Sequence, residues 1–74
     1  MREEILEILN EIRPEADYAS SENFVDDGLL DSLEMMNLLD ALEAQFDIYI
    51  DGQDIIPENF MSVEAIEGLI EKYR

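Results

Sequence analysis

Three stretches of this chain carry apolar residues at the spacing of a single helical face. In Arg2–Ile12 they are Ile5, Ile8, Leu9 and Ile12, with Leu6 on the flank, and Pro14 stops the pattern. From Ser32 to Phe46, residues Met35, Leu38, Leu39, Leu42 and Phe46 share one side. Asp31 followed by Glu34 fits a capping box, which makes Asp31 the N-cap and Ser32 the first helical residue. Ser62 then caps a last helix whose apolar face is Val63, Ile66, Leu69, Ile70 and Tyr73. Gly68 falls on its solvent side, where it weakens the helix without holing the core.

The intervening segments are less regular. Residues 14–31 read as a long loop rich in Asp, Glu, Ser and Asn, with Tyr18, Phe24 and Leu29 or Leu30 as its apolar anchors. Asp47–Gly52 alternates like a short strand at Ile48 and Ile50, but no second strand is available to pair with it. It is read as a loop leading to a short turn or helix near Pro57–Phe60. The expected fold is all-α, an irregular antiparallel four-helix bundle with one short helix, formed by residues 1–74 as a single domain. Its expected core includes Ile5, Leu9, Leu38, Leu42, Phe46, Phe60, Ile66 and Ile70.

The second helix has an apolar surplus on its other side. Leu33 and Met36 lie there with Asn37, Asp40 and Ala44, and Glu43 stands at the edge. They either form a docking surface or tuck under the neighbouring loops. Partner contacts are expected at Leu33, Met36, Asp40 and Glu43, with apolar contacts central and charges at the rim.

Charge narrows the choice of partner. The net charge is −16, and the four bases are Arg2, Arg13, Lys72 and Arg74. Between Pro14 and Glu71 there are sixteen acids and no base. This argues against binding DNA or RNA, because phosphate contacts need Lys and Arg. Partners with basic surfaces are favoured, drawn in by steering that salt weakens. The same excess strains the compact state through like-charge repulsion. With 47% apolar residues the chain is still expected to fold. No apolar run is long enough to cross a bilayer, and the N-terminus lacks a signal-peptide pattern. Without cysteine there is no disulfide, and the cytoplasm is the expected compartment.

Two chemistries are weighed and set aside. Asp47, Asp51, Gly52 and Glu58 nearly fit the spacing of an EF-hand calcium loop. Tyr49 and Asp54 occupy positions that need an oxygen ligand and an apolar residue, and Pro57 interrupts the exiting helix. No metal site is therefore expected. Ser32 has no histidine to act as its base and no Gly-x-Ser-x-Gly elbow, so hydrolysis is excluded and no enzyme activity is expected. A helix start with free N–H groups does suit a phosphate on its first-turn serine.

Gly28-Leu29-Leu30-Asp31-Ser32-Leu33-Glu34 has a wider context. Phe24-Val-Asp-Asp leads into it, Leu42-Glu43-Ala44-Gln45-Phe46 ends the helix, and Ile56-Pro57-Glu58-Asn59-Phe60 precedes Ser62-Val63. Over nearly its whole length the chain resembles the acyl/peptidyl carrier protein family. The resemblance implies that Ser32 receives a covalent 4′-phosphopantetheine arm from coenzyme A. It also implies that Asp31 helps hold the metal ion while the transferase acts. Partners would be a phosphopantetheinyl transferase, a loading ligase and downstream acyl-transfer enzymes, met by a monomeric, non-catalytic thioester shuttle. Gly-Leu-Leu-Asp-Ser-Leu looks more like D-alanyl carriers and stand-alone carriers of specialised pathways than like fatty acid biosynthesis carriers. The cargo is accordingly expected to be an aminoacyl or specialised acyl group. The rival class is an acidic interaction module, such as a nucleic-acid mimic, with no prosthetic group.

Overall fold

Asp31 and Ser62 set where two of the helices begin. In the computed structural model, which describes residues 1–74, each side chain accepts a hydrogen bond from the backbone N–H three residues on, Glu34 and Ala65 respectively. Three α-helices result: α1 Arg2–Ile12, α2 Ser32–Phe46 and α3 Val63–Tyr73. Their limits agree with the apolar periodicity. Pro14 follows α1. Asp47, with φ 53°, turns the chain into the left-handed region after α2.

The fourth expected segment is not an α-helix. The chain makes two single 3₁₀ turns, Gly52–Asp54 and Pro57–Asn59. Pro57 explains the break. Its ring fixes φ and removes a donor, and it forces Ile56 into an extended conformation at φ −128° and ψ 151°. Asp51 caps the first turn through Gln53 N–H, and the Asn59 amide ties the two together by donating to the Asp54 carbonyl at 2.8 Å. Asp54 itself pairs with Lys72 at 2.8 Å and accepts the Tyr73 hydroxyl, which docks this segment on the end of α3. The Lys72 bond and then the Tyr73 bond lower the Asp54 pKa. Of the acids that resembled a calcium loop, Asp51 thus serves as a cap, and Asp54, which departs from that pattern, ties the segment to α3.

Helix α1 packs against both other helices. It runs antiparallel to α2: Arg13 at its end meets Glu34, while Glu4 near its start accepts from the Gln45 amide at 3.0 Å. Arg2 pairs with Glu64 and Glu67 in α3, so α1 and α3 start side by side. Fifteen buried apolar residues form one cluster, including Ile5, Leu9, Leu38, Leu42, Phe60, Ile66 and Ile70. Phe46 is a correction: it packs against this cluster but is only half-buried, at the last position of α2 where the chain turns away. Ile50, from the loop after α2, is buried. No helix is long and apolar enough to cross a membrane.

Asp47 is unfavourable in its position for two separate reasons. It carries a negative charge at the negative end of the α2 dipole, and its positive φ is costly for a residue with a Cβ. Its side chain makes no hydrogen bond or ion pair that would offset this. Asp47→Asn keeps a side chain that tolerates this conformation and removes the charge. It is expected to raise stability by about 0.5 kcal/mol, which in a domain of this size is roughly 2–4 °C in Tm. Thermal unfolding followed by circular dichroism checks this, and an unchanged or lower Tm would contradict it.

Candidate functional site

Ser32 stands at the first position of α2 with its side chain exposed and its hydroxyl free of protein hydrogen bonds. The capping box around it is complete. Asp31 Oδ1 accepts from Glu34 N–H at 2.8 Å, and Glu34 Oε1 accepts from Asp31 N–H at 3.1 Å. Asp31 Oδ2 makes no hydrogen bond within the protein. The Met35 N–H bonds to the Asp31 carbonyl at 2.8 Å, which leaves the N–H groups of Ser32 and Leu33 without protein acceptors. Two unpaired donors and the positive end of a fifteen-residue helix therefore surround an accessible hydroxyl. A phosphate ester at Ser32 fits this arrangement.

The approach to Ser32 is held by the loop's own anchors. Tyr18, Phe24 and Leu30 are buried, and the rings of Tyr18 and Phe24 meet edge to face at 5.1 Å. Phe24 N–H donates to the Met61 carbonyl at 2.6 Å, fixing the loop to the segment before α3. The Asn23 side chain accepts from the N–H groups of Val25 and Asp26, and the turn closes at Gly28 with φ +72°. The N–H groups of Leu29 and Leu30 both donate to the Phe24 carbonyl. Tyr18 donates its hydroxyl to the Leu29 carbonyl at 3.0 Å. Burial, then the charge of Glu34, raise the Tyr18 pKa and keep that donor protonated.

Arg13 closes the site from below. Its Nε and Nη2 donate to the two oxygens of Glu34 at 3.0 and 2.6 Å, and its Nη1 donates to the Gly28 carbonyl at 2.8 Å. The Glu34 hydrogen bonds raise the Arg13 pKa further above its ordinary value. Glu34 therefore serves the capping box and the ion pair with one carboxylate. Sequence reasoning assigned Glu34 to the cap and treated Arg13 only as one of four bases. The signal that was present is that Arg13 is the last base before the long acidic run.

Leu33 and Met36 are 72% and 47% exposed, so they do not tuck under the flanking loops. Asn37, Asp40 and Ala44 are exposed beside them. Glu43 differs: it is half-buried, and its Oε2 accepts the Ile50 N–H at 2.9 Å. That bond fixes the loop that buries Ile50, a role for Glu43 that helical spacing did not reveal. Val25, Tyr49 and Ile56 are also exposed, outside the expected docking set.

Comparison with known proteins agrees with this geometry. The family model described as "Phosphopantetheine attachment site" matches residues 1–70. The chain belongs to that family, and 4′-phosphopantetheine is the group it receives. Aminoacyl carrier protein 1 of Bradyrhizobium diazoefficiens is 44% identical over 55 residues, which is 74% of this chain and 60% of that protein. Aminoacyl carrier protein 2 of the same organism is 42% identical over 55 residues, 74% of this chain and 61% of its own length. The aligned segment thus spans about three-fifths of either relative. No solved structure matches the chain.

Proposed function

We propose that this protein is a carrier that holds aminoacyl groups as thioesters on a phosphopantetheine arm at Ser32 and passes them between enzymes. The observation that carries the reading is the exposed, unbonded Ser32 hydroxyl at the start of a capped helix. The arm supplies a thiol that a chain without cysteine lacks. Ser32 provides the oxygen of the phosphodiester link. The free N–H groups of Ser32 and Leu33 face the same end of the helix and suit the phosphate charge. Asp31 uses Oδ1 for the cap and keeps Oδ2 available for the metal ion of the transferase reaction.

The chain acts as substrate and shuttle, and the chemistry is done by its partners. These are a phosphopantetheinyl transferase, a loading ligase and acyl-transfer enzymes with basic surfaces. Leu33 and Met36 supply the apolar centre of the docking face, and Asp40 the acidic rim. Glu43 adds charge at the edge while holding Ile50. Met36 suits several partners, because its unbranched side chain adapts to different surfaces. The aminoacyl cargo is supported by the relatives' being aminoacyl carrier proteins and by the Gly28-Leu29-Leu30 approach to the motif. The family match favours this reading over an acidic mimic without a prosthetic group.

Intact-mass measurement tests the attachment and the cargo in turn. Incubation with coenzyme A and a broad-specificity phosphopantetheinyl transferase is expected to add one arm to the wild type and none to Ser32→Ala. The armed protein should then gain an amino acid from an aminoacyl-loading ligase in preference to a malonyl group from a fatty-acid transferase. A gain that survives Ser32→Ala would remove the serine from the account, and malonyl loading alone would remove the aminoacyl cargo.

Met36→Ala is expected to slow arm transfer or loading while the melting temperature barely moves. A stability loss of about 2 kcal/mol or more, as for a large-to-small core change, would instead make Met36 part of the core.

A further inference from the structure

Arg13 is the one base that reaches the serine segment, and it does so through three bonds to two separate places. Nε and Nη2 hold Glu34 in the first turn of α2, and Nη1 holds the Gly28 carbonyl at the left-handed turn before it. Ser32 lies between these fixed points. Arg13 is itself fixed, because it caps α1 and its backbone N–H donates to the Leu9 carbonyl at 3.0 Å. The guanidinium therefore ties the end of α1, the loop turn and the start of α2 into one unit. Its side chain and that of Glu34 are 27% and 16% exposed, so the pair is shielded from the solvent that weakens surface ion pairs.

The charge around this unit opposes it. Asp26, Asp27, Asp31 and Glu34 crowd residues 26–34. Without the guanidinium, Glu34 would stand among like charges with only the Asp31 N–H to hold its carboxylate. The Gly28 carbonyl would lose its side-chain donor as well. Lysine cannot replace this arrangement, because a single ammonium cannot form the planar fork on Glu34 and also reach Gly28.

We propose that Arg13 is a positioning residue for the arm-transfer step, holding residues 28–34 in the shape that the transferase recognises. This rests on the reading of Ser32 as the attachment site. In that step the Ser32 oxygen bonds to the pantetheine-side phosphorus of coenzyme A. The pyrophosphate P–O bond breaks, adenosine bisphosphate leaves, and the hydroxyl proton passes to a base on the transferase. Arg13 touches none of these atoms; it sets the fraction of molecules whose serine segment is ready to bind. An apparent affinity falls in proportion to that fraction.

The test measures transferase kinetics on wild type, Arg13→Gln and Arg13→Lys, at a temperature well below the melting point of each. Arg13→Gln is expected to raise the KM for the carrier by about tenfold, with kcat within about twofold of wild type because the bound enzyme restores the segment. Arg13→Lys should behave like Arg13→Gln. An unchanged KM in Arg13→Gln would overturn the proposal, and so would full rescue by lysine, which would mean that charge alone suffices. Amide exchange read by NMR gives a measure independent of the transferase. The Asp31 amide, bonded to Glu34 Oε1, should exchange faster in Arg13→Gln while the Leu42 and Ile66 amides stay protected. Should the wild type take no arm, the Ser32 reading falls, and exchange alone then judges the clamp. Faster exchange confined to the segment supports it, and unchanged exchange at Asp31 overturns it.

Discussion

The Glu34 carboxylate is the point on which the serine end of the molecule depends. One group accepts from the Asp31 backbone and from two nitrogens of Arg13, and its own N–H is capped by Asp31. Helix starts leave donors unsatisfied, and here the N–H groups of Ser32 and Leu33 remain free. The cap is local in sequence, but its stiffness comes from outside the helix, through Arg13 and the loop anchored by Tyr18 and Phe24. An exposed hydroxyl is common on any protein surface. Here the exposed hydroxyl stands on a segment braced from behind by Arg13 and the anchored loop.

The same economy governs the rest of the chain. A net charge of −16 sits on a body measuring 29 by 22 by 19 Å. At about 0.15 M salt the screening length is about 8 Å, so neighbouring acids still repel across much of the surface. Three of the four bases lie on seams between elements. Arg2 joins α1 to α3, Arg13 joins the end of α1 to the loop and α2, and Lys72 joins α3 to the turn at Asp54. Arg74 pairs only within its own end, with Glu71. The more exposed pairs, those of Arg2, Lys72 and Arg74, contribute at most about 1 kcal/mol each. Their position therefore matters more than their number.

Most of the architecture was legible in the sequence because it is written in local periodicity. Ile5 to Ile12, Met35 to Phe46 and Val63 to Tyr73 each mark one face, and Asp31 and Ser62 mark two beginnings. Tyr18, Phe24 and one of Leu29 and Leu30 were readable as anchors because a long polar loop has few other apolar residues; the structure buries Leu30. The fourth segment was not readable as two 3₁₀ turns, since single turns are too short to show a period. Phe46 belongs to the right face but sits where α2 ends and is only half-buried, while Ile50 in the following loop is buried. The bonds from Arg13 to Glu34 and from Glu43 to Ile50 N–H are tertiary facts. No spacing rule pairs residues twenty-one apart.

Backbone order at the serine tests the account most directly. Nitrogen-15 relaxation on the wild-type protein without its arm reports the order parameters of residues 28–34 on the fast timescale. The bracing described here requires values close to those of the helices, about 0.85. Values below about 0.6 at Asp31, Ser32 and Leu33, beside rigid helices, would contradict it.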